Sequence, residues 1–474
     1  MAYVHYERLR SVDAAMLAVE DANTHMHVGA VALFDAAPLT SPDGALQIDR
    51  IRASMAAAML RTPRFRQKLV PIPVFEHPVW VDDPRFNLEY HVRHTALPQP
   101  GGVRRLKRLV GRLMSQKLDP TKPLWEVWVV EGIEEGRFAL VIKAHHCMID
   151  GVGGINVFAA LMSPDPEAVP PQETERWIPR PAPSSSALLS DEIRRRASVP
   201  LSLAKVGWQA LREPRDSAEA LRHGASAAWD ALTAAGGMAS PTPLDDETGP
   251  YRRVDWLTVD LGAALDAKRA LGGTLNDLVL ACSAGAFGRF LKKRGVRIED
   301  LDFRASVPVN TRQGQVDHEL GNHISSLFAP LPIDEPDPIK RLAKVVETTR
   351  ELKRSTSKGG WGALDDFSDR VFPSLMGHMM KLMTTRLRLI NVYVSNIPGP
   401  RVPIYLQGAR MLEIYPIAPV VHVIGVALFS YDKSLHWAFN ADWDKFPDLH
   451  ELLVLTEDEF ERMIKAAAAR PASV

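Results

Sequence analysis

The sequence predicts a layered α/β architecture built twice over, and three observations carry that prediction. A chain of 474 residues exceeds the range in which one hydrophobic core keeps growing, so two domains of about 200 residues each are expected. Strand-like runs recur in both halves with long helices between them, the pattern that stacks helices on a sheet. Between the halves, from Ser163 to Ser186, prolines and serines are dense, as in SPDPEAVPPQ and IPRPAPSSS, the composition of an extended linker. The chain therefore divides into a first domain over 1–165, a linker and helical crossover over 166–249, and a second domain over 250–474.

Each element follows from its own pattern. IDRIRASMAAAML, from Ile48 to Leu60, has the three-and-four spacing of an amphipathic helix, and extended segments follow near Val70 to Val74 and Val79 to Val81. A second helix is predicted from Val103 to Leu118. After Pro120, WEVWVVEGI and FALVIKA are β-rich runs joined by the short turn EEGR, a hairpin signal whose second run delivers the chain into His145. Beyond Gly151, VGGINVFAALM has helical spacing. Poorly patterned helical sequence continues to about Ala235, and GGMASPTPLDDETGP reads as a solvated connector.

The second half opens with the strand RVDWLTVDL. In TLNDLVLACSAGAFGRFLKKRG, Thr274 stands as an N-cap with Asp277 in capping-box position, and Gly295 suits the stop. Leu278, Cys282, Ala286 and Phe290 would share the buried face of that helix. RLINVYVSN, ARMLEIYPI, VHVIGVALFSY and SLHWAFNAD are successive strands, the last three reading as a meander. PDLHELLVLTEDEFERMIKAAAA closes the chain as an amphipathic helix.

Composition narrows the function classes. Lys plus Arg equals Asp plus Glu, 57 against 57, so no global field argues for nucleic acid or acidic substrates. With only Cys147 and Cys282, a disulfide framework is excluded and a reducing compartment, the cytoplasm, is expected. The opening MAYVHYERLRSVDAAMLAVED lacks the apolar stretch of a secretory signal, and no window holds 18 consecutive apolar residues, so any membrane contact is expected to be peripheral.

The most informative run is His145-His146-Cys147-Met148-Ile149-Asp150-Gly151. It places two imidazoles, a carboxylate and a permissive glycine at a strand-to-helix junction. An imidazole with an ordinary pKa of about 6.5 accepts a proton at neutral pH and returns it later. Two other readings compete: a satisfied core histidine, and a metal site. Adjacent histidines tend to point in different directions, and no HExxH or CxxC completes a metal set, so the run reads as general-base chemistry with no metal.

These residues resemble the bacterial wax ester synthase/acyl-CoA:diacylglycerol acyltransferases, relatives of the CoA-dependent acyltransferase fold. The likeness spans nearly the whole chain. It rests on SVDAAMLAVEDANTHMHVGAVALFD, on PLWEVWVVEG from Pro123 to Gly132, on HHCMIDG, on Asn276-Asp277, on Gly321-Asn322, and on SNIPGP from Ser395 to Pro400. HHxxxDG alone also occurs in peptide-synthetase condensation domains, and the surrounding motifs narrow the choice. The resemblance implies two chloramphenicol-acetyltransferase-like sandwich domains with mixed sheets, meeting at an active-site tunnel. It implies that His146 is the base, beside His145, and that Asp150 orients the turn. It also implies acyl-CoA as co-substrate with no resident cofactor, and diacylglycerol or a long-chain fatty alcohol as acceptor. The expected place of work is the cytoplasm, peripherally attached to the inner membrane or to lipid droplets.

Acyl transfer from a thioester to an alcohol is slow because a hydroxyl that keeps its proton is a poor nucleophile. His146 within about 3 Å of that hydroxyl would remove the proton during attack and hand it to the departing thiolate, a step that commonly contributes about 10² to 10⁴ in rate. No covalent acyl-enzyme is needed. Cys147 tempts as a nucleophile, but sequence neighbours rarely face the same way, so it reads as packing. Asn276, near a helix start, is the candidate donor to the thioester oxygen, with helix capping as the competing role; for Asp277 capping is the stronger reading. Gly151, Ser395 and Asn396 are candidate substrate-binding residues, although a rigid Pro/Gly turn explains SNIPGP at least as well.

Pro123, Leu124 and Trp125 read as structural, and Gly151, Gly153 and Gly154 complete no phosphate-binding motif. VFPSLMGHMMKLMTTRLRL, with Met379, Met380, Met383, Lys381, Arg386 and Arg388, reads as a buried helix or as an interfacial one. Two further functions remain open: an acyltransferase of the same fold acting on a polyketide-derived or carrier-bound substrate, and a non-catalytic lipid-binding or droplet-coating protein.

Overall fold

The computed structural model describes residues 6–148, 161–168, 177–197, 238–245, 247–310, 324–356, 389–420 and 424–469. In chain order the first half runs β1 (Glu7–Arg8), α1 (Ser11–Val19), β2 (His27–Asp35), α2 (Ile48–Arg61), β3 (Gln67–Pro71), β4 (Pro78–Asp82), α3 (Leu88–His91), β5 (Val92–Ala96), α4 (Val103–Ser115), β6 (Trp125–Ile133) and β7 (Arg137–His145). The second half runs β8 (Arg252–Asp260), α5 (Leu261–Leu271), α6 (Leu275–Lys293), β9 (Arg304–Asn310), β10 (Ile324–Pro330), α7 (Pro338–Thr356), β11 (Val392–Pro398), β12 (Tyr405–Leu406), β13 (Ala409–Ile417), β14 (Ile424–Tyr431), β15 (Ser434–Asp442) and α8 (Leu449–Ala468). The segments expected as a helix after Gly151, as helical crossover to Ala235 and as the Met-rich helix lie wholly or mostly outside the described residues, as do Asp150, Gly151 and Gly321-Asn322.

Two mixed six-stranded sheets organise the molecule, one in the order β12-β13-β2-β7-β6-β5 and the other β10-β9-β11-β14-β15-β8. The predicted β6–β7 hairpin is present, its turn closed by Glu135 and Gly136 in the left-handed region at φ 63° and 64°. In β7, Phe138, Leu140 and Ala144 enter one hydrophobic cluster while Ala139 and Val141 enter another. A sheet covered on both faces explains why its sequence reads as a continuous apolar run rather than an alternation.

ARMLEIYPI does not form a meander with the two strands that follow. β14 and β15 pair as a hairpin, but β13 crosses to the first sheet and pairs antiparallel with β2, Tyr415 opposite Val31. The second half thus lends β12 and β13 to the first sheet, and the division between sheets does not follow the division between chain halves. Periodicity marks ARMLEIYPI as a strand; the choice of sheet is made by tertiary packing. There Met411 and Ile414 join the cluster of Phe34 and Leu140, and Tyr415 and Ile417 that of Val31 and Val141.

The halves also share cores. Helix α4 lies over the edge strand β8, where a Cβ on Gly111 would sit 2.7 Å from the Arg252 carbonyl oxygen, and Leu106, Val110, Val254 and Trp256 belong to one cluster. On the outer side, α6 is capped as expected. Thr274 Oγ1 accepts from the Asp277 N–H, and the Asp277 carboxylate accepts from the Thr274 N–H. Leu278, Cys282, Ala286 and Phe290 are buried, but so is nearly every residue of α6 from Asp277 to Leu291, because α5, α7 and α8 all pack on it. Among the described residues no single helix is long and apolar enough to cross a membrane; the α5–α6 pair meets the test jointly but bends by 97°.

Candidate active site

The histidine turn closes β7 and, from His145 to Met148, is held at every backbone donor. His145 N–H donates to the Leu124 carbonyl at 2.9 Å, His146 N–H to Met26 O at 2.8 Å and Met148 N–H to His145 O at 3.0 Å. These bonds tie the turn to PLW and to the strand that begins at His27. Trp125 has the structural place expected of it: its indole N–H donates to Phe65 O at 2.8 Å and its ring stacks on His91 at 4.6 Å.

His145 has a hydrogen bond at one ring nitrogen and a carboxylate beside the other. Cys147 N–H donates to His145 Nδ1 at 3.0 Å, so that nitrogen carries no proton and the ring proton sits on Nε2. Nε2 faces Glu20 Oε1 at 3.2 Å. Burial alone would raise the Glu20 pKa, but contact with His145, the Met26 N–H and Lys117 outweighs it and holds the carboxyl at about 2. Lys117 Nζ reaches Glu20 Oε2 at 3.1 Å, and the Met26 N–H donates to Oε1 at 3.0 Å. His27, directly opposite His145 in the β2–β7 register, completes the cluster and is kept neutral by burial and by the cations Lys143 and Lys117. Sequence reasoning missed Glu20 and Lys117. The segment SVDAAMLAVED carries three carboxylates, Asp13, Glu20 and Asp21, and nothing in its pattern singles out Glu20.

His146 is the less enclosed of the pair, 9% exposed against 1% for His145. Cys147 is buried among Trp125, Met148, Phe429 and Tyr431, and burial, with Asp13 and Glu20 nearby, pushes its thiol well above the usual range. A thiol held protonated is a poor nucleophile, which leaves it the packing role.

The same cluster places the turn at the seam of the two halves. Cys147 and Met148 from the first share it with Phe429 and Tyr431 at the end of β14, and Ile397 of β11 packs against it. SNIPGP therefore does come near the turn, but Ser395 to Pro398 form the end of strand β11 rather than a rigid turn, with Ser395 opposite Ala427 and Asn396 opposite Leu428. Gly399 follows because a Cβ there would fall 2.2 Å from the Phe429 ring and 2.4 Å from Ser430 O. Asn276 stands in the first turn of α6 and is half-buried; among the described residues no hydrogen bond joins it to the histidine turn. Asp277 is committed to capping and to the Thr349 hydroxyl, which donates to it at 2.8 Å. Asp150 and Gly151 lie outside the described residues.

Two layered α/β lobes, the second lending strands to the first, with the His145–Met148 turn at their seam, define a class, the two-lobed fold of CoA-dependent acyltransferases and condensation domains. The architecture matches a wax ester synthase/diacylglycerol acyltransferase from Marinobacter aquaeolei with a TM-score of 0.67 at 23% identity, covering 97% of this chain and 100% of that one. It matches the first condensation domain of the CDA synthetase with a TM-score of 0.59 at 17% identity, covering 99% and 98%. At these identities the likeness shows the fold alone.

Family models decide further. The wax ester synthase/diacylglycerol acyltransferase catalytic domain matches residues 9–279, and the corresponding C-terminal domain matches 320–464. A Mycobacterium tuberculosis protein bearing the name of a diacylglycerol O-acyltransferase is 30% identical over 476 residues, covering 98% of each chain. One from Mycobacterium bovis is 29% identical over 472 residues, covering 98% of this chain and 96% of that one. The chain belongs to the wax ester synthase/diacylglycerol acyltransferase family, and its chemistry is acyl transfer.

Proposed function

We propose that the protein moves a long-chain acyl group from acyl-CoA to diacylglycerol, to a long-chain alcohol, or to both, by direct attack with His146 as general base. The acceptor oxygen bonds to the thioester carbon while His146 takes its proton. As the tetrahedral intermediate collapses, the C–S bond breaks and the same proton passes to the departing CoA sulfur. The observation that carries this reading is the division of labour in the turn. His145 accepts from the Cys147 N–H through Nδ1 and is buried with Nε2 beside Glu20, and Cys147 is held as a thiol, while His146 is the more exposed imidazole of the pair, which suits it to shuttle a proton. Asn276, whose amide makes no hydrogen bond among the described residues, is the oxyanion donor in this reading, and its loss should cost about 10² to 10³ in kcat. The substrates are lipids, so the protein works in the cytoplasm at a membrane or droplet surface.

The test gives purified protein one labelled acyl-CoA and offers diacylglycerol and hexadecanol in separate reactions, following ester formed and thiol released. His146→Ala should lower kcat by about 10² to 10⁴ with both acceptors. Unchanged turnover in a folded His146→Ala protein refutes the base assignment, and thiol release without ester refutes the transferase reading.

A further inference from the structure

Helix α4 breaks two rules that ordinarily stabilise a helix. Its first turn carries Arg104 and Arg105 and no acidic residue, although the positive end of the helix dipole disfavours cations there. Arg104, Arg108 and Arg112 follow one another at four-residue intervals, which stacks like charges along one stripe. All three are exposed, and among the described residues none of them forms an ion pair or hydrogen bond.

The rest of the helix is accounted for by the fold. Leu106, Leu109, Val110 and Leu113 are buried, and Lys107 is tied to Asp255 and to the Trp256 carbonyl oxygen. The stripe has no such structural reason, and the chain as a whole balances its charges, 57 cations against 57 anions. Residues that break a local rule without a structural return mark a functional surface.

A second feature adjoins it. At the end of α4, Ser115 Oγ accepts from the Arg252 N–H at 2.8 Å, and beside Arg252 the Tyr251 carbonyl accepts from the Trp443 N–H at 3.0 Å. Tyr251 is 61% exposed and Trp443 is 40% exposed, with the Arg253 guanidinium 3.9 Å over the Trp443 ring. Exposed aromatics with a polar edge, flanked by arginine, suit a boundary between headgroups and acyl chains.

We propose that the arginine stripe of α4 is a docking surface for an anionic lipid bilayer. The stripe rises about 12 Å from Arg104 to Arg112, and each planar guanidinium can engage a headgroup phosphate with two parallel N–H bonds. Docking neutralises the repulsion within the stripe and brings the enzyme to the phase that holds its acceptor, so the proposal rests on the acyltransferase reading above.

The experiment floats the full chain with vesicles of phosphatidylcholine alone or with about a third phosphatidylglycerol. It compares wild type with the triple variant Arg104→Gln, Arg108→Gln, Arg112→Gln. Each basic residue near an anionic surface is worth roughly fivefold in partition, so the triple variant should lose roughly a hundredfold. Wild-type binding should weaken as salt is raised. The variant's melting temperature should stay level or rise, because only repulsion is removed. Its rate with diacylglycerol in neutral detergent micelles should match wild type, and its rate on anionic vesicles should fall. The docking proposal is overturned if the triple variant partitions like wild type, if wild type does not prefer phosphatidylglycerol, or if the stripe instead holds duplex DNA more tightly than vesicles at the same salt. Absence of turnover in micelles would count against the acyltransferase reading alone, since flotation reads docking independently.

Discussion

Replacing Glu20 separates a positioning role from a catalytic one, and the structure sets the size of each effect. Glu20 Oε1 faces His145 Nε2 and accepts from the Met26 N–H, at 3.2 and 3.0 Å, while Oε2 faces Lys117. Glu20→Leu leaves the Met26 N–H and the His145 Nε2 proton without an acceptor, each costing about 1–3 kcal/mol, so stability should fall by about 2–6 kcal/mol. It also frees His145 to exchange tautomers, and a proton on Nδ1 would break the bond from the Cys147 N–H that shapes the turn. A displacement of about 1 Å at the reacting group can cost 10²-fold, so kcat should fall by roughly that factor with little change in KM for acyl-CoA. Glu20→Gln is the informative partner. Its amide oxygen can take the place of Oε1 and keep both acceptor contacts, while its NH₂ meets Lys117, whose side chain is 46% exposed and lines a polar cavity of about 250 Å³. Lys117 can turn to water, so the loss should be about 1 kcal/mol, and kcat should stay within roughly fivefold of wild type. Steady-state kinetics below the melting temperature of each variant decide the matter. Equal loss in Gln and Leu, or full activity in a folded Leu variant, would refute the tautomer argument.

Three further outcomes follow from the same geometry. Cys147→Ala should keep kcat within about twofold and lose about 1 kcal/mol of stability to the small cavity; near-complete loss of turnover in a folded protein would restore the thiol as nucleophile. Burial lowers the pKa of His77 and His436 to about 4. The unfolded chain binds protons near pH 6.5 that the native state refuses, so this stability is whole above that pH. It is lost as pH falls from about 6.5 toward 4, by at most about 3 kcal/mol for each. Glu20, depressed to about 2, adds its own loss below about pH 4.5. Urea midpoints that stay flat between pH 7 and 4.5 would contradict this. Gly399→Ala forces a Cβ to 2.2 Å from the Phe429 ring and 2.4 Å from a backbone oxygen, so it should destabilise by about 1–3 kcal/mol and lower kcat. Wild-type melting behaviour would show that the end of β11 is not fixed against β14.

What the sequence made legible was local. The β6–β7 hairpin, the capping box at Thr274 and Asp277, and the closing helix are each written in a few adjacent residues whose period or chemistry names the element. The histidine turn was legible for the same reason. Glu20 was not, because 125 residues of chain separate it from His145 and only the β2–β7 pairing brings them together. The sheet chosen by β13 was hidden too, since its apolar positions would suit either sheet and the partner is selected by non-local packing. Ser395 and Asn396 were legible as the end of the strand RLINVYVSN, while the Pro/Gly content of SNIPGP hid its continuation through Ile397 and Pro398.

The strands that the second half lends to the first sheet bear directly on how a site at the seam of two lobes keeps its geometry. Interfaces between domains of one chain ordinarily permit relative motion. Here β12 and β13 belong to the first sheet by hydrogen bonding, while β11 and β14, which flank the pair in sequence, belong to the second. The Tyr431 hydroxyl, at the end of β14, donates to the Met411 carbonyl of β13 at 2.9 Å and accepts from the Ile404 N–H at 3.0 Å, pinning one lobe to the strand lent to the other. Tyr431 shares its cluster with Cys147 and Met148, so the pin lies beside the histidine turn rather than at the periphery. Sliding one lobe past the other at this point would break backbone pairing as well as side-chain packing. A base that acts as proposed, within about 3 Å of a hydroxyl, would tolerate little such sliding, and the lent strand resists it beside the histidine turn.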